Sequence, residues 1–114
     1  MDAFQLLLFY VVGITVRPCV GRTCDAKLVD YFPLSTESVQ LVCSSLSEQP
    51  QIFINNHDPH YEKTEGCVVV SHFDQARSAY ETILDCGYYL PATYDCRCQL
   101  DAHPVGVITK PPIN

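Results

Sequence analysis

Arg97 lies between Cys96 and Cys98 in an alternating run, Asp95 to Leu100. Strand side chains point to opposite faces in turn, so a strand here sends the two cysteines one way and the guanidinium the other. If the cysteines face a core, Arg97 faces the opposite surface of the sheet, where a solvated or ion-paired arginine is the ordinary outcome. A carboxylate on a neighbouring strand and the same face would make the pair more than ordinary. Glu81, in Tyr80-Glu81-Thr82-Ile83-Leu84, is the candidate. A carboxylate beside a guanidinium, with His60 and Lys110 close by, has the parts to bind a phosphodiester and move a proton from it. His57 and His72 read as loop histidines, and His103 as part of a hairpin connection.

These residues must be positioned by a small chain. It has 114 residues, 47% of them hydrophobic and 18% charged, which is one domain with a core and excludes a disordered or collagen-like chain. Seven Lys and Arg against thirteen Asp and Glu leave a net charge of −6, which excludes nucleic-acid binding by a broad basic face. Residues 4–16, FQLLLFYVVGITV, form an apolar run too short to span a bilayer comfortably and suited to a secretory signal. Cleavage after Gly21 gives a signal peptide over residues 1–21 and one domain over 22–114, a secreted protein with no membrane segment after processing.

That cut removes Cys19 and leaves Cys24, Cys43, Cys67, Cys86, Cys96 and Cys98, an even set expected to form disulfides in an oxidising compartment. Their pairing stays open. No CxxC pair occurs, and the four histidines lie at no ligand spacing, so neither a metal site nor a cofactor is expected.

Pro33-Leu34-Ser35-Thr36-Glu37 resembles a capped helix start, with Ser35 as the cap. Val39, Val42, Cys43 and Leu46 recur at three-to-four spacing, so residues 36–47 read as an amphipathic helix. Residues 51–55 and 66–70 read as strands. Residues 95–100 and 105–109 read as an antiparallel hairpin with 101–104 as its connection, ended by Pro111-Pro112. Residues 74–85 read as a helix, and residues 80–84 within them equally as a short strand. The expected fold is therefore α+β: one N-terminal helix packed on an antiparallel, disulfide-stabilised sheet. The alternative is a ferredoxin-like split βαβ sandwich with a second helix over 74–85.

Four stretches occur in an order that resembles the small secreted fungal guanyl-specific ribonucleases. They are Pro59-His60-Tyr61 with Glu65-Gly66, Tyr80 to Leu84, Arg97, and Val105-Gly106-Val107-Ile108-Thr109. The resemblance implies a microbial ribonuclease fold, with 74–79 an enlarged loop before a strand. It implies Glu81 as general base with His60 as its helper, and Arg97 stabilising charge on phosphate. It also implies a guanine-binding loop of Tyr61, Glu62, Lys63, Thr64 and Glu65, with Tyr61 stacking and Glu65 accepting from the base.

The departures are as informative. Lys110 stands where the family has its catalytic histidine, Asp58 where it has a tyrosine, and Glu62-Lys63 where it has two asparagines. A lysine with an ordinary pKa of about 10.4 is a poor acid at neutral pH, and losing a positioned acid costs about 10²–10⁴ in rate. The resemblance thus implies a monomeric, catalytically inactive, ribonuclease-like effector of a plant-pathogenic fungus such as a powdery mildew. Such a protein would be secreted, with entry into host cells left open, and would bind a host protein or RNA through the former nucleotide cleft. Two alternatives accompany it: an active guanyl-preferring endoribonuclease or ribotoxin, and a ferredoxin-like secreted toxin or effector.

Overall fold

The computed structural model describes residues 24–59, 63–99 and 101–113, the side chains of 101 and 102 excepted. The proposed signal segment, His60, Tyr61 and Glu62 lie outside the described residues. Seven strands follow one another among the described residues: β1 (Lys27–Asp30), β2 (Val39–Ser45), β3 (Pro50–Ile54), β4 (Cys67–Asp74), β5 (Ala79–Cys86), β6 (Ala92–Cys98) and β7 (Asp101–Lys110). They form two antiparallel sheets, a four-stranded one in the order β1-β2-β5-β4 and a three-stranded one in the order β3-β6-β7. The described residues contain no helix, so both the α+β expectation and the ferredoxin-like alternative are corrected to an all-β sandwich.

The residues expected to be helical show why. In β2, Val39, Leu41, Cys43 and Ser45 are all buried and point the same way, a period of two that the helical reading overlooked. Leu46, counted into the helical stripe, is 68% exposed. The Ser35 cap does form, with the Glu37 N–H donating to its Oγ at 3.1 Å, but it closes a bend before a strand. The run from Val39 to Ser45 is rich in β-branched and short polar residues, which favour a pleated half-buried surface over a helix. Residues 75–78 are a turn, and 79–86 are β5, paired with both β2 and β4. The expected hairpin connection at 101–104 belongs instead to β7. Asp101 pairs with Cys98 and Gly106 with Cys96, so the intervening residues bulge from the ladder.

The core lies between the sheets. Leu41, Cys43, Leu84 and Cys86 from one meet Ile52, Ile54, Tyr94 and Cys96 from the other. The Thr82 hydroxyl donates to the Pro50 carbonyl at 2.6 Å and accepts from Gln49 Nε2 at 2.9 Å, a buried polar stitch across the gap. Gly106 lets β7 close on β1, since a Cβ there would sit 3.0 Å from that of Leu28. The six cysteines pair as Cys24–Cys98, Cys43–Cys96 and Cys67–Cys86. The first two join β6 to the N-terminal segment and β2, across the sheets; the third joins neighbours β4 and β5.

Candidate functional site

Sheet membership separates the residues expected to form a phosphodiester site. Glu81 is on β5 in the four-stranded sheet and Arg97 on β6 in the three-stranded one, so the two are not neighbours across a ladder. Cys96 and Cys98 turn inward to their disulfides, and Arg97 faces the other way. There its guanidinium lies 4.5 Å from the Phe53 ring centroid, and Nη2 donates to Asp95 at 2.7 Å and Asn56 at 2.6 Å. Asn55 and Asn56 make the tight turn after β3 with φ of 49° and 68°, and Arg97 braces it. Its buried Nε makes no hydrogen bond among the described residues.

Lys110, at the end of β7, is 4% exposed and ion-paired to Asp30 at 2.6 Å. Its ammonium also approaches the Phe32 and Pro33 carbonyls, so it pins the edge of one sheet to the edge of the other. Lys63, Thr64 and Glu65 lead into β4; Lys63 and Glu65 are exposed, and the Thr64 carbonyl accepts from Cys67 N–H. Thus Glu81, Arg97 and Lys110 occupy three separate places. Arg97 and Lys110 are each held in a structural ion pair.

Glu81 has neighbours that sequence reading passed over. Its Oε1 lies 3.0 Å from His72 Nε2 on β4, and its Oε2 lies 3.4 Å from Arg77 Nη1 in the β4–β5 turn. The signal was present: a four-residue turn over 75–78 sets Asp74 opposite Ala79, and hence His72 opposite Glu81. With Asp25, Lys27, Ser44 and Ser45, Glu81 and Arg77 line a hollow of ≈360 Å³. The Asp25 carboxylate accepts from Ser45 Oγ at 2.8 Å, the chief reason its pKa is lowered, with Ser47 Oγ and Leu46 N–H adding to it. Its stabilising effect is therefore present above the ordinary carboxylate range and fades as pH falls through the lowered value. Burial raises the Tyr94 phenol above its ordinary value, and its hydroxyl donates to the Leu90 carbonyl at 2.6 Å.

The outer face of the four-stranded sheet carries a pattern absent from the sequence reading. Strand register aligns Lys27, Ser44, Glu81 and His72 in one polar row across all four strands. The next row, Val29, Val42, Ile83 and Val70, is wholly aliphatic. Beyond it lie Gln40, Asp85 and Val68. Val29 is 41% exposed, Val70 50% and Val68 60%, whereas Val42 is buried between its row neighbours. Val68, Val70, Ile83, Gly66 and Gly87 line an open hollow of ≈520 Å³ on this face. The other sheet packs on the opposite side and leaves the row uncovered.

Comparison with protein-family models, curated proteins and solved structures finds no match. No described helix is long and apolar enough to cross a membrane, and no cluster of three metal-ligating side chains occurs among the described residues.

Proposed function

We propose that this chain is an exported, effector-like binding protein that docks a host protein on the outer face of its four-stranded sheet and acts by contact. One observation carries the reading: the row Val29–Val42–Ile83–Val70, extended by Val68, is a contiguous aliphatic strip on a face the second sheet does not cover. Contiguous exposed apolar surface of this kind marks an interaction site, whereas isolated exposed valines do not. A protein is favoured over RNA as partner, because the chain is net negative and its Arg97 and Lys110 are held in ion pairs. Three disulfides in so small a domain, following a signal-like apolar run, support export to an oxidising compartment.

The test compares immobilised wild type with Val70→Lys and, on the other sheet's outer face, Val107→Lys. Both residues are half-exposed, so both variants are expected to fold. From plant leaf extract, the wild type and Val107→Lys are expected to retain the same protein saturably, and Val70→Lys to bind it at least about tenfold more weakly. Equal retention by all three, or none by the wild type, contradicts the reading.

A second reading, the active endoribonuclease, is favoured by one specific observation. Glu81 forms a carboxylate–imidazole pair with His72 beside Arg77 and Lys27, at the rim of the ≈360 Å³ hollow. It differs from the site implied by the family resemblance in every residue but Glu81.

A further inference from the structure

Strand β4 is an edge strand of the four-stranded sheet. The Gly87 N–H donates to the Gly66 carbonyl at 2.9 Å, so residues 66 and 87 form a hydrogen-bonded pair. Hydrogen-bonded and non-bonded pairs alternate along an antiparallel ladder. Cys67–Cys86, Val69–Leu84, Ser71–Thr82 and Phe73–Tyr80 are therefore the non-bonded pairs, which the 3.9 Å Cα separation of Cys67 and Cys86 bears out. It follows that the N–H and C=O groups of Val69, Ser71 and Phe73 point away from β5, and no described residue pairs with them. The sequence Cys67-Val-Val-Val-Ser-His-Phe-Asp74 carries no proline or lysine, two devices that commonly blunt an edge, and its one carboxylate lies at its last residue.

We infer that two copies of this chain pair antiparallel along β4, about a two-fold axis through Ser71, to make one continuous eight-stranded sheet. In that register Ser71 faces its counterpart, and Val69 faces the Phe73 of the second copy on the sandwich side. Phe73 is 45% exposed in the single chain, where its ring meets that of Tyr80 edge-on at 4.9 Å. All six outward main-chain donors and acceptors of the central three pairs are then matched. At either end, the turn holding Glu65 meets the turn holding Arg77 of the second copy, whose guanidinium is 73% exposed while also pairing with Asp74 and Glu81 of its own chain. Pro59 and Lys63 line, with Cys67, Val68 and Val69, a hollow of ≈260 Å³ at one end of β4. The sequence reading expected a monomer, and the proposed dimer departs from that expectation. It is independent of what docks on the outer aliphatic row.

The test is sedimentation equilibrium of the oxidised mature chain up to about 1 mM, joined to amide hydrogen exchange at low and high concentration. The expected result is a concentration-dependent dimer in which protection rises at Val69, Ser71 and Phe73. Val68, Val70 and His72, already bonded to β5, should show no such rise. Ser71→Pro removes the outward N–H, which an edge strand tolerates, together with the hydroxyl 3.2 Å from Thr82 Oγ1, and is expected to raise the dissociation constant at least about tenfold. Ser71→Ala keeps the N–H and should dimerise as the wild type does. A monomer throughout, or a dimer whose alternating amides gain no protection, overturns the proposal. Should Ser71→Pro fail to fold, the wild-type exchange pattern still decides it.

Discussion

Replacing Cys43 and Cys96 together by alanine is expected to lower the free energy of unfolding by about 4 kcal/mol. The two sulfurs close a loop with a sequence separation of 53, and both residues are fully buried at the centre of the sandwich. A cross-link of that span takes about 4 kcal/mol of freedom from the unfolded chain. The parallel Cys24–Cys98 bridge already removes part of that freedom, and the cavity left among Leu41, Tyr94 and Leu84 offsets the reduction. Domains of this size have only about 5–15 kcal/mol in total, so the variant should be close to its unfolding threshold at 37 °C. Removing Cys67–Cys86 is expected to cost less, since its separation is 19 and the β4–β5 hairpin keeps its strands adjacent regardless. Urea unfolding followed by far-ultraviolet circular dichroism checks the order. A larger midpoint loss for the Cys67 and Cys86 variant would contradict it.

The second large effect is expected at Lys110, and it concerns stability. Lys110→Ala leaves the Asp30 carboxylate, whose side chain is 12% exposed, without its counter-ion at the corner where the two sheets meet. Removing one partner of a buried pair costs about 3–5 kcal/mol, chiefly because the other charge stays uncompensated. Asp30→Asn combined with Lys110→Met leaves no stranded charge and should lose clearly less than Lys110→Ala alone. Denaturant midpoints of the three proteins check the order. Lys110→Ala within about 0.5 kcal/mol of wild type would show that the ammonium is a surface cation, free for another use.

Much of the strand content was legible in the sequence, because its signals are local. Alternation and β-branching mark 51–55, 66–70, 95–100 and 105–109, and the flanking cysteines turn Arg97 outward. The even cysteine set is met by three disulfides in the structure, although only the fold could pair them. What was missed depends on long-range pairing. Val39, Val42, Cys43 and Leu46 fit a helical period as well as Val39, Leu41, Cys43 and Ser45 fit a strand. Only the partners β1 and β5, and the bond from Cys43 to Cys96, decide between them.

The ribonuclease-like site rested on Glu81 and Arg97 sharing a sheet, and no local pattern fixes sheet membership. The aliphatic row was hidden for the same reason. Val68-Val69-Val70 reads as one apolar run, and which member faces solvent depends on where the second sheet lies. His72 was within reach, since counting back from the 75–78 turn sets it opposite Glu81.

The central claim is that the chain acts by contact and does not break phosphodiester bonds, and the most direct measurement is cleavage of a guanine-containing RNA dinucleotide. The oxidised protein should be incubated with it beside Glu81→Gln, with circular dichroism verifying that both are folded. The expected result is product at the background rate for both proteins, with no difference between them. Cleavage by the wild type that Glu81→Gln abolishes while the sandwich stays intact would contradict the claim and make Glu81, His72 and Arg77 an active site.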